Sequence, residues 1–117
     1  MPIEQIAPGL ERIVSLDEDV EELGTDYDLA EGPLWCKEVA YLLFSDVLHN
    51  RRMKWTPGDG VTVFHEPTDN ANGLTRDPQG RLIACEHTTR RVTRMEPDGS
   101  VTVVASTYQG RRLNRPN

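Results

Sequence analysis

The sequence repeats itself with a period of about 40 residues, and the repeat aligns without a gap. Residues 41–55 align with residues 81–95, and the alignment extends to 61–63 and 101–103, which both read Val-Thr-Val. Tandem repeats of this length indicate a solenoid or a propeller, in which each unit buries its apolar face against the next. The repeat therefore limits the chain to these architectures.

Local patterns decide between them, because no segment has the sustained apolar spacing that paired helices need. Short β-rich runs instead alternate with turn clusters of Pro, Asp and Gly at 57–60 and 97–100. Four strands per repeat correspond to one propeller blade. We therefore predict an all-β fold, a β-propeller of which this chain forms the first two four-stranded blades of an expected six. The predicted strands lie near 32–36, 40–46, 51–56, 61–65, 73–77, 81–86, 91–95 and 101–106.

Residues 1–30 lie outside the repeat and form a predicted N-terminal extension. They carry nine acidic side chains against the single base Arg12, which predicts a solvated edge. A strand-like stretch near 19–24 is predicted to close the ring by completing the last blade. Residues 31–117 are predicted to hold blades 1 and 2 and the start of blade 3, so we expect a truncated propeller.

Charge and composition narrow the choice of partners and compartment. The formal net charge of −6 offers no basic face for nucleic acid. No apolar run is long enough for a membrane span, and the N-terminus lacks a secretory pattern, so we expect a cytoplasmic protein. In that compartment Cys36 and Cys85 are expected as two buried thiols. His49 and His65 are interpreted as structural, without carboxylate neighbours at catalytic spacing.

The arginine pairs Arg51-Arg52 and Arg90-Arg91 recur in the two repeat units. Their recurrence predicts a repeated structural role on the blade surface rather than substrate binding.

Oxygen-bearing side chains stand at the start of each predicted innermost strand. Glu31, Asn72 and Asn117 occupy these positions, and a propeller brings such positions together at one mouth of its central channel. A carboxylate and two amides are hard oxygen donors of the kind that Ca²⁺ and Mg²⁺ prefer, and a carboxylate-rich site can also hold Zn²⁺. Ordinary turns are the competing interpretation, because Asn72-Gly73 is also a common tight-turn pair.

Five motifs lie along the chain: Ala30-Glu-Gly-Pro-Leu-Trp35, Leu42-Leu-Phe-Ser-Asp46, Asn72-Gly-Leu-Thr-Arg-Asp-Pro-Gln-Gly-Arg-Leu82, Cys85-Glu-His87 and Arg112-Leu-Asn-Arg-Pro-Asn117. Taken together, these motifs resemble the SMP-30/gluconolactonase/LRE family. The resemblance implies a six-bladed propeller with one catalytic divalent metal ion in its channel, Ca²⁺ or Zn²⁺ with Mg²⁺ as a further option. It implies hydrolysis of a sugar lactone to its aldonic acid.

The resemblance also implies roles for individual residues. Glu31 matches the family's metal-binding glutamate, and Asn117 matches an asparagine that lies beside the metal and contacts substrate. Arg115 stands where an arginine contacts substrate in some relatives. Asn72 resembles an Asn-Gly-Leu motif that supplies a metal ligand in a later blade, and we group it with the substrate-binding residues. The general base and remaining ligands are expected beyond Asn117, so residues 1–117 alone are expected to be inactive.

Two other functions fit the same sequence. One is another hydrolase on this scaffold, phosphotriesterase-like or strictosidine-synthase-like. The other is a non-enzymatic propeller that serves as a binding platform. The carboxylate of Glu31 argues against the platform, because an acid at a channel mouth is costly near other acids unless a cation neutralises it.

Overall fold

A computed structural model describes residues 3–117. In this range the chain has one turn of 3-10 helix, Leu10–Arg12, and is otherwise built from short strands. Within the same range no helix is long and apolar enough to cross a bilayer. The strands are β1 (Ala30–Cys36), β2 (Tyr41–Asp46), β3 (Arg51–Thr56), β4 (Gly60–His65), β5 (Ala71–Arg76), β6 (Leu82–Glu86), β7 (Arg91–Met95), β8 (Val101–Ala105), β9 (Thr107–Tyr108) and β10 (Arg111–Arg112).

The strands form two four-stranded antiparallel sheets, each in the simple order of the sequence. One sheet is β1-β2-β3-β4 and the other is β5-β6-β7-β8, so each is one propeller blade. The predicted all-β propeller fold is confirmed, and each of the eight strands predicted for the two blades overlaps an observed one. A further hairpin, β9–β10, was not predicted; its turn places Gln109 and Gly110 at φ 49° and 73°.

The predicted strand near 19–24 does not form. Residues 20–27 have no regular structure, and Asp19 is a single bridge residue at the edge of this stretch. A ring-closing strand needs hydrogen bonds from another blade, and a segment without that neighbour stays irregular. The ring-closing role of this segment stays a prediction. The nine acidic residues of the N-terminal extension are all exposed, which confirms the predicted solvated edge.

The hydrophobic core lies between the two blades. Cys36 and Leu43 of the first blade meet Leu82 of the second, and Leu34, Tyr41, Leu74 and Met95 pack around them. Several large apolar side chains of the two blades stay exposed, including Trp35, Val63, Val101 and Val103. A blade has two apolar faces, and each needs a neighbour to cover it.

Both cysteines are free thiols. Cys36 is buried in the core, as predicted, whereas Cys85 is only half-buried, so the prediction of two buried thiols is wrong for Cys85. Burial raises the pKa of the Cys36 thiol, and the pKa of Cys85 is shifted in the same direction for the same reason.

The innermost strands of the two blades approach backbone to backbone. Gly32 has a φ of +59°, and a Cβ at this position would collide with the carbonyl oxygen of Asn72. The Ser45 hydroxyl donates a hydrogen bond of 2.8 Å to that same carbonyl oxygen. The β1–β2 ladder shifts register between Glu31 and Leu34. This irregularity gives β1 the bend that brings Gly32 against β5.

A buried carboxylate ends the second strand of each blade, at equivalent positions of the repeat. Asp46 is fully buried and accepts a hydrogen bond of 2.9 Å from Arg51 Nε. Glu86 is the counterpart in the second blade and is bonded by Arg91 and Thr93. Arg51 and Arg91 therefore confirm the predicted structural role, but Arg52 is buried between the blades and the prediction of a surface position is wrong for it.

His49 connects the first of these carboxylates to the N-terminal extension. Its Nδ1 lies 2.8 Å from Asp46 Oδ2, and its Nε2 lies 3.1 Å from Asp28 Oδ2. The backbone N–H of Asp28 also donates to Asp46, at 3.2 Å. The sequence shows no carboxylate at catalytic spacing from His49, but the fold brings two carboxylates to it, and these contacts agree with the interpretation of His49 as structural. Burial alone would raise the pKa of Asp46, but the hydrogen bonds from His49 and Arg51 outweigh burial and lower it.

The first prediction concerns Asp46→Asn, which we expect to lower the free energy of unfolding by about 2 kcal/mol at neutral pH, because the amide loses the charge-assisted bonds to His49 and Arg51. Because the folded pKa of Asp46 is lowered, its stabilisation is present above the ordinary aspartate pKa of about 3.9 and is lost as the pH falls through the folded value.

Urea unfolding as a function of pH measures this effect. The difference between wild type and Asp46→Asn should shrink in acid. Asp59→Asn is the control, because Asp59 is exposed in the β3–β4 turn, and its effect should stay within about 0.5 kcal/mol. A pH-independent difference at position 46 would contradict the role given to its charge.

The second prediction concerns Gly32→Ala, which we expect to destabilise the chain more than Gly60→Ala. Both glycines have positive φ, +59° and +77°, but nothing lies within 4 Å of a Cβ placed on Gly60. The left-handed conformation costs about 1–2 kcal/mol at either site. The clash with Asn72 adds to that cost at position 32 alone. Thermal unfolding measures both, and equal losses would show that the close contact between the inner strands does not matter for stability.

Candidate functional site

The predicted oxygen donors lie on successive neighbouring segments at one end of the inner strands. Gly32, next to Glu31, packs on the backbone of residues 72–74. In the same way Gly73, next to Asn72, packs on Asn117, whose Oδ1 would lie 3.6 Å from a Cβ on that glycine. Glu31 is half-buried, Asn72 is buried and Asn117 is exposed. The fold therefore sets the three positions side by side, each glycine allowing the next segment to approach.

Arg115 lies at the exposed edge of this arrangement. It is two residues before Asn117 and has a left-handed backbone conformation, with φ 49°. Its side chain is solvent-exposed. The structure therefore places Arg115 near the donor positions along the chain but outside the packed contact that joins Asn117 to Gly73.

Two side chains at equivalent positions of the repeat hold in place the segments that lead to Asn72 and to Asn117. Asn50 and Arg90 match each other in the repeat and share a φ of 57°. The Asn50 Oδ1 accepts hydrogen bonds from the backbone of Thr68 and Asn70, just ahead of Asn72. The guanidinium of Arg90 donates to the Leu113 carbonyl at 2.6 Å, just ahead of Arg115. These hydrogen bonds fix the position of the chain just before each donor residue.

The side chain of Asn72 has an unsatisfied oxygen. Its Oδ1 is buried and has no hydrogen-bond partner among residues 3–117, while the residue itself is 8% exposed. A buried acceptor without a partner costs about 1–3 kcal/mol. Such an atom is suited to accept a bond from a ligand hydroxyl or to coordinate a hard cation. This is the feature of the site that most needs a bound group.

The chemistry of the donor atoms indicates which metal ion this site would hold. Within the described part of the chain, no group of three or more His, Cys, Asp or Glu side chains could hold a metal ion. What the described segments offer is the Glu31 carboxylate with the amide oxygens of Asn72 and Asn117. Oxygen donors of this kind fit Ca²⁺ or Mg²⁺ better than Zn²⁺, whose sites in proteins are built mainly from nitrogen and sulfur. The residues therefore fit part of a hard-cation site.

Sequence reasoning missed a polar cluster beside Glu31, formed by Asp28, Asp46 and His49. The β1–β2 ladder pairs Ala30 with Asp46 and Glu31 with Ser45, so the cluster stands one register position from the predicted metal ligand. It holds Asp28 just ahead of β1 and so fixes the start of that strand. The spacing Asp46-x-x-His49 across a hairpin was the available signal, but Asp28 joins only through the fold.

Comparison with known proteins places this geometry in a family. A profile described as the SMP-30/gluconolactonase/LRE-like region matches residues 29–117. A protein named gluconolactonase from Zymomonas mobilis is 32% identical over an alignment of 129 positions, which covers 98% of this chain and 36% of that protein. This chain therefore spans about a third of the length of that relative.

Solved structures agree with the profile. A gluconolactonase from Xanthomonas campestris, described as important in glucose secondary metabolic pathways, is 36% identical with a TM-score of 0.76, over 81% of this chain and 32% of that one. An inactive variant of virginiamycin B lyase from Staphylococcus aureus, solved with quinupristin, has a TM-score of 0.58 at 19% identity, over 83% of this chain and 34% of that one. The lyase shares the fold alone. On the profile match and the two gluconolactonase relatives, the chain belongs to the SMP-30/gluconolactonase/LRE-like family.

Proposed function

We propose that this chain forms part of a metal-dependent hydrolase that opens a sugar lactone to an aldonic acid. The observation that carries the proposal is the buried Oδ1 of Asn72, which lies beside the strand of Glu31 and has no hydrogen-bond partner among residues 3–117. The two gluconolactonase relatives support the choice of a lactone as substrate. The likeness to the lyase does not bear on the reaction, because one fold serves many chemistries.

In this proposal Glu31 binds the cation, and the side-chain amides bind the sugar. Glu31 supplies a negative charge to a divalent cation, Ca²⁺ or Zn²⁺ with Mg²⁺ as a further option, and oxygen ligation favours Ca²⁺. Asn72 and Asn117 present amide groups that accept from and donate to sugar hydroxyls. Arg115, exposed at the edge, gives the site a cation for a ring oxygen or for the carboxylate of the product.

The reaction adds water to the lactone carbonyl and breaks the ring C–O bond, leaving a hydroxy acid. When bound, the cation would polarise that carbonyl and stabilise the negative charge that develops on its oxygen. The chain's own residues orient the lactone ring, and they hold its carbonyl carbon toward the channel where water can reach it. Glu31 is the carboxylate at the donor positions, and because it serves the cation we do not assign it as the general base.

The third prediction is that the chain binds Ca²⁺ through Glu31. Isothermal titration should show that Glu31→Gln weakens calcium affinity by about tenfold or more, because the amide removes the single negative charge among the donors. Glu22→Gln is the matched control, an exposed acid of the N-terminal extension, and should leave the affinity unchanged. Equal calcium affinities of the wild-type chain and Glu31→Gln would contradict the ligand role of Glu31.

The fourth prediction concerns the product side of the reaction. With calcium present, gluconate should perturb the NMR signals of Asn72 and Asn117, and Asn117→Ala should weaken gluconate binding by about fivefold, the loss of one hydrogen bond. Asn114→Ala is the control, because Asn114 is an exposed amide three residues away. Binding of a dialkyl phosphate in place of gluconate would favour the phosphotriesterase-like alternative.

Residues 1–117 by themselves should not accelerate the hydrolysis of gluconolactone above the rate in buffer. The described segments set one carboxylate, Glu31, at the donor positions, and it is assigned to the cation rather than to activation of water. A pH-stat assay with calcium checks this expectation. Metal-dependent turnover by the purified chain would show that a base within these residues had been overlooked.

A further inference from the structure

A second cavity opens between the two blades, at the opposite end of the inner strands from the donor positions. It has a volume of about 290 Å³ and is lined by residues of both blades, among them Cys36 at the end of β1 and Arg76 at the end of β5. Glu31 and Cys36 lie about 16 Å apart along β1, since a strand rises about 3.3 Å per residue. The cavity is therefore separate from the proposed lactone site.

Half of the lining is apolar or aromatic and carries no charge. This part consists of Cys36, Tyr41, Leu43, Phe64, Leu82 and Met95. The ring centroids of Tyr41 and Phe64 lie 6.4 Å apart, with the ring planes tilted by 41°. Burial raises the pKa of the Cys36 thiol and of the Tyr41 phenol, so both groups stay neutral at neutral pH. The wall therefore offers aromatic rings, methyl groups and two sulfur atoms to an occupant.

The charged side chains around the rim are paired with one another. Three arginines face three carboxylates there: Arg76 pairs with Glu38, Arg81 with Asp77 and Glu96, and Arg94 with Glu96. The ammonium of Lys54 lies outside the lining, 5.5 Å from the centroid of the Tyr41 ring. An ion in the cavity would find no unpaired charge in the lining, and its own charge would be costly to remove from water. The lining therefore suits an uncharged occupant.

The repeat shows that a blade does not require these aromatic rings. The position equivalent to Tyr41 holds Arg81 in the second blade. The position equivalent to Phe64 holds Val104. Both rings are therefore features of this interface and not of the architecture of a single blade.

The volume of the cavity limits the size of an occupant. Protein interiors are close-packed and contain few voids larger than one water. An engineered cavity of about 150 Å³ with apolar walls stays dry and binds benzene. The cavity between the blades is about twice as large, so it has room for a molecule of two fused rings.

We propose that this cavity is a binding site for a small uncharged aromatic molecule, of about the size of indole. The rings of the ligand pack against Tyr41 and Phe64, and the sulfur atoms of Cys36 and Met95 contact the ring edges. Binding buries apolar surface of both blades that otherwise faces water. The inference does not rest on the proposed lactonase activity.

An NMR titration of the full 117-residue chain with indole tests the proposal. Indole should give saturable shifts with a Kd of about 1 mM or lower. Its ring protons should show intermolecular NOEs to the methyl groups of Leu82 and Met95, which locate the ligand in the cavity. Cyclohexanol, an uncharged molecule without an aromatic ring, should bind about fivefold more weakly, because it lacks the contacts between rings.

Phe64→Ala removes one ring from the cavity wall and should weaken indole binding by about fivefold. Tyr108→Ala is the matched control, because Tyr108 is an aromatic residue that is 72% exposed and lies outside the cavity, and it should leave the affinity unchanged. If Phe64→Ala does not fold, the NOEs of the wild-type chain decide. Absence of saturable binding, equal affinities for indole and cyclohexanol, equal affinities of wild type and folded Phe64→Ala, or NOEs to neither Leu82 nor Met95 would each overturn the proposal.

Discussion

The close approach of Gly32 to the backbone of the second inner strand determines where the hub residues of this chain lie. With a positive φ and no side chain, Gly32 allows the carbonyl of Asn72 to come within reach of the Ser45 hydroxyl. That contact fixes the start of β5 against the start of β1. Because Gly73 repeats the arrangement toward Asn117, one local device sets the spacing of three successive segments. The donor positions are neighbours for this reason.

The two blades each bury one carboxylate at the end of their second strand, and they differ in the other groups that bond it. Asp46 and Glu86 occupy equivalent positions, and each pairs with an arginine of its own blade, Arg51 or Arg91. The first carboxylate also bonds His49 and the backbone of Asp28, whereas the second bonds the hydroxyls of its own hairpin. A repeat requires that each blade satisfy its buried charge but leaves the remaining bonds free to vary. In the first blade they hold the N-terminal extension ahead of Glu31.

The blades were predictable from the sequence because their signals are local. The repeat period, the turn clusters and the alternating apolar residues locate the eight main strands, and the tight turn at Gln109-Gly110 was the signal for β9–β10 that went unused. The predicted inner strands 32–36 and 73–77 begin two residues after the observed starts of β1 and β5. Glu31 and Asn72 were therefore correctly assigned to the beginnings of these strands, and Asn117 lies against Gly73.

Contacts between distant segments left no local pattern to detect. The partners of His49 include Asp28, which lies far earlier in the sequence, and the burial of Arg52 depends on how the second blade packs. The recurrence of an arginine pair in both repeat units predicted a surface position for Arg52. Only the packing of the blades shows that Arg51 pairs with Asp46 while Arg52 is buried. The segment near 19–24 has strand-like residues, but residues 20–27 form no regular structure, because residue preference alone does not form a strand.

Among residues 3–117, two buried side-chain polar atoms have no hydrogen-bond partner, and they are of opposite kinds. Asn72 Oδ1 at the hub is an acceptor, and Arg52 Nε farther out is a donor. Each costs about as much as a hydrogen bond contributes, so neither would be kept in a core built for stability alone. An acceptor next to a carboxylate suits a cation. The donor lies in a layer where the carboxylates of Glu86 and Asp69 stand beside Arg52 and Arg91, so the charges there are balanced by the chain's own residues. A cation at the hub would contact Glu31 of the first blade and Asn72 of the second, and its binding should therefore stabilise the relative position of the two blades.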